Sequence, residues 1–124
     1  MKIESALENK YSEHLIGLDI YEDGKSLNLS RIVINPDSRG LGIGTKIMED
    51  LVDYADKTGK IVTLTPSSDF GGNKNRLVQF YKRFGFKPNK GYYKSYEYRD
   101  SMIRYPKNSD FLNEIKKIIR DILS

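Results

Sequence analysis

The sequence predicts a single α/β (α+β) domain, a sheet flanked by helices. Segments with the two-residue period of strands alternate with segments of helical period along the 124 residues. The apolar share of 38% is spread over the whole length, and nine Tyr and five Phe supply bulk for a small core. One domain accounts for residues 1–124, because this is the commonest domain size.

A hairpin is predicted in the first third of the chain. Apolar residues alternate with polar ones before Asp23-Gly24, a dipeptide that favours a tight turn, and a second apolar segment follows it. We expect antiparallel strands at residues 14–21 and 26–34. Pro36 ends the second strand, because proline cannot donate a ladder hydrogen bond.

A helix and a further strand follow the hairpin. Residues 45–57 place apolar side chains at helical spacing, and Gly59 is a typical C-terminal stop. The β-branched segment 61–65 then suits a central strand.

The second half of the chain is predicted to add a helix and two strands. Apolar residues between positions 77 and 84 form one face of a short helix that Gly85 ends. Residues 92–98 alternate aromatic and polar side chains, which predicts a strand, and residues 102–105 would be its partner.

The segment at about residues 109–123 is the most amphipathic in the chain. Its apolar residues form one stripe, opposite Lys and Arg residues. We expect this C-terminal helix to pack on the domain. The alternative is that its stripe forms the seam of a homodimer.

Composition excludes several classes of function. The chain has no Cys, which excludes disulfides, Cys-ligated zinc and Cys nucleophiles. With neither a signal-peptide pattern nor an apolar stretch of about 20 residues, a cytoplasmic protein without a membrane span is expected. The net charge of +4 comes from scattered residues, 21 basic and 17 acidic, and fits an anionic ligand better than nucleic acid.

The strongest chemical signal is the Gly-rich segment 39–44, between a predicted strand and a predicted helix. Its glycines leave successive backbone N–H groups open to an anion, and the helix adds the positive end of its dipole. A Walker loop is disfavoured because Gly44 is followed by Thr45-Lys46, and a dinucleotide fold because the glycines alternate and no ribose-binding acid follows strand 61–65. A phosphate or pyrophosphate site remains.

Two motifs resemble those of one enzyme superfamily. The segment Arg39-Gly40-Leu41-Gly42-Ile43-Gly44, after Ile32-Val33-Ile34-Asn35-Pro36, resembles the acetyl-CoA signature of the GCN5-related N-acetyltransferase (GNAT) superfamily, R/Q-x-x-G-x-G/A after a strand ending in V-x-P. Downstream, Tyr81-Lys82-Arg83-Phe84-Gly85-Phe86 looks like the family's Tyr-x-x-x-Gly-Phe. The resemblance covers residues 14–105. It implies a mixed, mostly antiparallel central sheet, splayed open at the cofactor, to which the C-terminal helix is an addition.

The cofactor that the resemblance implies is acetyl-CoA. Arg39 opens the motif, and the backbone N–H groups of the following residues would hold the pyrophosphate: Gly40, Leu41, Gly42, Ile43, Gly44 and Thr45. The backbone of Ile32, Val33 and Ile34 would pair with the pantetheine as an extra strand does. The family's CoA-contacting Asn is replaced by Lys74, and the neighbouring Asn73 and Asn75 are the candidates for its role.

The resemblance also implies direct attack of an amine nitrogen on the thioester, which requires a neutral amine and a proton for the leaving thiolate. Tyr81 matches the Tyr that supplies this proton, and a phenol with an ordinary pKa of about 10 is protonated at neutral pH. Core packing is the other role of Tyr81, and the two are compatible. The strand before the Gly-rich turn lacks the carboxylate base of many family members; His14, Asp69 and Glu97 are the candidates to replace it.

Three functions stay open at this point. The first is an N-acetyltransferase that acts on a primary amine of a small molecule or a protein. The second is a catalytically inactive CoA-binding or regulatory module, suggested by the missing carboxylate and by the roughly a dozen residues before the first strand, too few for the family's N-terminal strand and two helices. The third is nucleic-acid binding through the Tyr- and Lys-rich segment 90–98.

Overall fold

The structure is a computed structural model, and it describes residues 2–67, 73–107 and 118–123. The helices are α1 (Ile3–Lys10), α2 (Ile43–Thr58) and α3 (Lys74–Lys82). The strands are β1 (Leu15–Glu22), β2 (Ser26–Ile34), β3 (Ile61–Leu64), β4 (Lys87–Pro88) and β5 (Met102–Arg104). A 3-10 turn covers Pro36–Ser38, and residues 118–123 are also helical.

The strands form one sheet in the order β1-β2-β3-β5-β4. β2 and β3 run parallel, whereas the pairs β1–β2, β3–β5 and β4–β5 are antiparallel. A parallel pair needs a crossover connection, which α2 supplies between β2 and β3. The predicted mixed, mostly antiparallel sheet with flanking helices is confirmed.

The hairpin of β1 and β2 closes as the sequence predicts. The Asp23 carboxylate accepts hydrogen bonds from the backbone N–H groups of Lys25 and Ser26 at 2.8 and 2.7 Å, as Asp does in tight turns. Ser30 is an extra residue in β2, because Leu29 pairs with Ile20 and Arg31 with Asp19. Such a bulge bends the strand that carries it.

One hydrophobic core joins α1, α2 and α3 to the sheet. The apolar face of α2 is its centre, since Ile47, Met48, Leu51 and Ala55 are at most 1% exposed. Burying a side chain of this size stabilises the fold by roughly 1.5–3 kcal/mol. α1 adds Ile3 and Leu7, which are also buried. This short helix is absent from the sequence-based prediction.

The predicted strand at residues 92–98 is wrong, because these residues form a loop and β4 is the partner of β5. The buried side-chain amide of Asn89 holds the loop. Its Nδ2 donates to the carbonyls of Ser95 and Tyr98 at 3.1 and 3.2 Å, and its Oδ1 accepts from the Ser95 N–H at 2.8 Å. The tyrosines that suggested alternation are largely exposed: Tyr92, Tyr93 and Tyr96.

The C-terminal helix is described at residues 118–123 and not at residues 109–117, which lie outside the described residues. Its apolar side chains are between 50% and 80% exposed: Ile118, Ile119, Ile122 and Leu123. For these residues the prediction that the stripe packs on the domain is wrong.

Each helix within the described residues is too short or too polar to cross a lipid bilayer.

Candidate active site

The parallel strands β2 and β3 separate at one end of the sheet. They pair from Ser26–Ile61 to Leu29–Leu64, where β3 ends, while β2 continues to Ile34 along β1. Beyond Leu29, β2 has no strand partner on its β3 side among the described residues. The bulge at Ser30 lies at this point, and a bulge bends the strand that carries it. The two strands therefore form a fork, with the backbone of residues 30–34 along one arm.

A cavity of about 330 Å³ lies in the fork. Residues 29–34 of β2 form one wall, and Leu77, Phe80 and Tyr81 of α3 form another. Met48 and Leu64 add further apolar surface. The three β2 residues predicted to contact the cofactor all line this cavity: Ile32, Val33 and Ile34.

A smaller cavity of about 200 Å³ adjoins the first at the Gly-rich turn. The two cavities share Ile34, Arg39, Gly44 and Phe80 in their walls. The smaller one is otherwise lined by residues of the turn and the start of α2: Ser38, Gly40, Gly42, Ile43 and Thr45. Of the predicted pyrophosphate-binding residues, Leu41 alone contributes to neither wall, and its side chain is exposed.

The backbone of the turn requires its glycines. Gly40 and Gly42 have φ values of +84° and +75°, which L side chains rarely adopt, and a Cβ at either position would project into open space. Gly44 is limited by space, because a Cβ there would lie 3.3 Å from Ile34 Cδ1. At these glycines the wall of the smaller cavity therefore consists of backbone without side chains.

The N-terminus of α2 opens into this cavity, and no acidic side chain of its own first turn lies there. Its N-cap Gly42 supplies no side-chain hydrogen bond, and the first turn contains no acidic residue. The first N–H groups of a helix have no intrahelical partner, and the helix dipole is positive at this end. Together with bare backbone at the turn, this donor set fits a diphosphate.

Tyr81 connects the apolar core to the larger cavity. Its side chain is 8% exposed and lies edge-on to the rings of Phe80 and Phe86, at centroid distances of 5.3 and 5.9 Å. Burial raises the pKa of the Tyr81 phenol, because the phenolate would lose its hydration. The phenol therefore stays protonated at neutral pH, as a proton donor must.

The two predicted Asn residues lie at the start of α3. Asn73 is the N-cap, and its Oδ1 accepts the backbone N–H of Asn75 at 2.7 Å. Both residues are exposed, and neither lines the two cavities. The contacts of Asn73 are those of a helix cap.

The candidates for a base are dispersed. The Glu97 carboxylate pairs with Lys25, and the His14 Nδ1 lies 2.7 Å from the hydroxyl of Ser38. Neither residue lines the larger cavity, and Asp69 lies outside the described residues. A different carboxylate, that of Asp100, accepts a hydrogen bond at 3.2 Å from the hydroxyl of Thr65, a residue of the cavity wall.

Comparisons with known proteins identify the family of this chain. The sequence model of the Acetyltransferase (GNAT) domain matches residues 6–88. An uncharacterized N-acetyltransferase of Methanocaldococcus jannaschii is 39% identical over 59 residues, which are 47% of this chain and 24% of that protein. An uncharacterized N-acetyltransferase of Schizosaccharomyces pombe is 31% identical over 65 residues, 52% of this chain and 38% of that protein. This chain thus spans well under half the length of either relative.

Solved structures show the same fold at low sequence identity. Tetrahymena GCN5 has a TM-score of 0.50 at 18% identity and covers 76% of this chain and 61% of its own. A putative GNAT-family acetyltransferase from Bacteroides thetaiotaomicron has a TM-score of 0.52 at 19% identity, over 82% of this chain and 61% of its own. Ard1 from Thermoplasma volcanium has a TM-score of 0.52 at 16% identity, over 84% of this chain and 78% of its own.

The family match covers the β2–α2–β3 unit and the whole tyrosine motif at residues 81–86, so it includes the fork and both cavities. The resemblance to this family that the two sequence motifs predicted is confirmed by this match. The chain belongs to the GNAT acetyltransferase family.

Proposed function

We propose that this protein transfers an acetyl group from acetyl-CoA to a primary amine of a small molecule or a protein. The observation that carries the proposal is the fork between β2 and β3, which leads directly to the uncapped N-terminus of α2. A long ligand with an extended arm and a diphosphate matches the two parts of this groove.

The lining of the two cavities supports the choice of residues that would hold acetyl-CoA. The backbone N–H groups between Gly40 and Thr45, with Arg39 beside them, would hold the pyrophosphate. The backbone of Ile32 to Ile34 would pair with the amide groups of the pantetheine arm. When bound there, the cofactor supplies an acetyl thioester, whose carbonyl carbon an amine nitrogen can attack.

The chain's own residues would then act on the leaving group and on water. Tyr81 would donate its phenolic proton to the departing sulfur, and the raised pKa keeps that proton available at neutral pH. Met48, Leu64 and Leu77 give part of the cavity wall an apolar surface, which would limit the access of water to the thioester.

Calorimetry and a thiol-release assay test the proposal. We expect CoA and acetyl-CoA to bind with measurable heat, and added salt to weaken both, because the phosphates are charged. We also expect thiol release from acetyl-CoA with at least one amine of a panel of alkylamines, blocked lysine and free peptide N-termini. Absence of heat with both CoA and acetyl-CoA would disprove the proposal.

A catalytically inactive CoA-binding module is the second candidate function. Among the described residues, the wall of the larger cavity contains neither a carboxylate nor a His that could take up the amine proton. Tight binding of acetyl-CoA without thiol release for every amine in the panel would favour this function.

A further inference from the structure

A group of polar side chains lies where the two strands separate. We refer to Asn28, Ser30, Thr65 and Asp100 as the fork cluster. Asn28 Nδ2 donates to Asp100 Oδ2 at 2.9 Å, and the Thr65 hydroxyl donates to Asp100 Oδ1 at 3.2 Å. The Ser30 hydroxyl donates to Asn28 Oδ1. Residues from β2, from the end of β3 and from the segment before β5 are thus joined.

The fork cluster borders the larger cavity. Ser30 and Thr65 are both part of its wall, and they follow Leu29 and Leu64, the last paired residues of the two strands. The Asp100 carboxylate is linked to this wall by the hydrogen bond that it accepts from the Thr65 hydroxyl. The carboxylate is therefore connected to the cavity in which Tyr81 lies, although it is not itself in the wall.

The described hydrogen bonds of the Asp100 carboxylate come from uncharged groups. Both of its described donors, the Asn28 amide and the Thr65 hydroxyl, are neutral. Thr65 Oγ1 also accepts the backbone N–H of Ser101 at 3.1 Å, which fixes the hydroxyl in place. A hydroxyl oxygen has two lone pairs, so Thr65 Oγ1 can accept one further hydrogen bond. An ammonium group is the partner that a carboxylate and a hydroxyl together favour.

We propose that Asp100 is the general base of this protein, acting through the Thr65 hydroxyl on the ammonium group of a cationic primary amine. The inference rests on the proposed function and extends it to the acceptor half of the site. Asp100 supplies what the cavity wall lacks, a group that can make the amine neutral before attack.

The protons and bonds balance as follows. The ammonium gives one proton to Thr65 Oγ1 while the Thr65 hydroxyl proton passes to Asp100 Oδ1, which leaves a neutral amine and a protonated Asp100. The nitrogen forms a bond to the acetyl carbon, the bond from carbon to sulfur breaks, and Tyr81 protonates the sulfur. The proton that the nitrogen loses as the amide forms returns to Tyr81, and Asp100 releases its own to solvent.

The test compares wild type with Asp100→Asn over pH 6.5 to 10, using n-butylamine, blocked lysine and a peptide with a free N-terminus as amines. For the amine that reacts best, we expect kcat/KM of Asp100→Asn to be about a hundredfold lower at neutral pH. We expect this difference to shrink towards pH 10, where solvent deprotonates the amine without help. Thr65→Val should show the same pH-dependent loss, and Thr65→Ser should restore most of it, because a hydroxyl is again present.

A binding measurement that needs no turnover accompanies the kinetics. Titration of the same amine into the protein saturated with CoA should show affinity at least about tenfold weaker for Asp100→Asn, because a charged hydrogen-bond partner is lost. CoA affinity and the unfolding midpoint should match those of Asp53→Asn. This control removes a carboxylate from the exposed side of α2, where Asp53 pairs with Lys57 at 3.0 Å.

Each other outcome overturns the inference in a distinguishable way. If wild type releases no thiol with any amine, the proposed function falls and the inference falls with it. If wild type reacts and Asp100→Asn has the same pH profile, or loses activity equally at every pH, the inference alone is wrong. A pH-dependent loss in Asp69→Asn in place of Asp100→Asn would assign the base to Asp69.

Discussion

Tyr81 has a structural role and a proposed chemical role in one side chain. Its ring packs against Phe80 and Phe86 within the core, and its residue lines the larger cavity. The ring contacts hold the side chain still, and burial raises the pKa of the phenol. Packing and chemistry are separable, because only the hydroxyl can give a proton.

Replacing Tyr81 by Phe separates the two roles. The aromatic contacts remain, so we expect the affinity for acetyl-CoA to stay near that of wild type. kcat should fall about a hundredfold, the typical contribution of a positioned general acid. Steady-state kinetics and calorimetry measure the two quantities.

Tyr11→Phe is the matched control for this variant. Tyr11 is also buried, and its hydroxyl donates to Asp50 Oδ2 at 2.6 Å. Neither residue lines the larger cavity. We expect this variant to lose about 1 kcal/mol of stability and to keep kcat. Equal kcat in Tyr81→Phe and wild type would show that Tyr81 contributes packing alone.

At the scale of elements, α2 both supports the core and forms part of the proposed anion site. Its N-cap is Gly42 and its C-cap is Gly59, with left-handed φ values of 75° and 69°. A Cβ would meet nothing within 4 Å at either position. The two glycines differ in that Gly42 lines the smaller cavity, whereas Gly59 is at the opposite end of the helix.

Alanine at each of these glycines distinguishes the cost to folding from the cost to binding. We expect Gly42→Ala and Gly59→Ala to lower the free energy of unfolding by a similar amount, about 1–2 kcal/mol, because both force an L residue into the left-handed region. CoA affinity should fall more than about tenfold in Gly42→Ala alone, since its Cβ enters the cavity and charge-assisted hydrogen bonds are lost. Chemical unfolding and calorimetry measure these effects. Equal CoA affinity in the two variants would contradict the proposed pyrophosphate site.

The elements that the sequence predicts well are those specified by neighbouring residues. The hairpin follows from Asp23, whose carboxylate bonds to backbone groups two and three residues later. α2 follows from a long apolar stripe between Gly42 and Gly59. Gly40 and Gly42 likewise have the positive φ values that glycine allows, because these values depend on the local backbone.

The elements that the sequence does not predict depend on distant contacts. The tyrosine pattern at residues 92–98 is that of a strand, but the Asn89 amide takes up the backbone groups that a ladder would need. α1 has only two buried residues, Ile3 and Leu7, too few for a periodic signal. Asp100 is 35 positions from Thr65, and only the pairing of β3 with β5 brings the two together.

At the scale of the whole molecule, Arg104 links β5 to α2 and to the end of α3. This buried residue of β5 donates to both oxygens of the Asp56 carboxylate on α2, at 2.8 and 3.0 Å. Its Nε donates at 2.6 Å to the carbonyl of Phe84, just beyond α3. Because α2 and α3 form the walls of the site, this clamp also maintains the shape of the groove.

The clamp makes stability depend on pH. Burial alone would raise the pKa of Asp56, but the hydrogen bonds from Arg104 and from the Lys107 N–H outweigh it, and the pKa is lowered. A carboxyl group whose pKa is lower in the folded state stabilises that state above its unfolded pKa of about 4. The contribution disappears as the pH falls through the lower, folded pKa.

Asp56→Asn measures the clamp directly. At pH 7 we expect it to lower the free energy of unfolding by about 3 kcal/mol, because the guanidinium of Arg104 stays buried without its carboxylate. The difference from wild type should shrink below about pH 4, since protonation then removes the same charge from wild type. Urea unfolding at a series of pH values checks this.

Asp53→Asn, one turn earlier on α2 in an exposed pair with Lys57, is the control and should cost less than about 1 kcal/mol at any pH. If the difference in free energy of unfolding between Asp56→Asn and wild type is unchanged at pH 2, the ion pair is not the source of that difference.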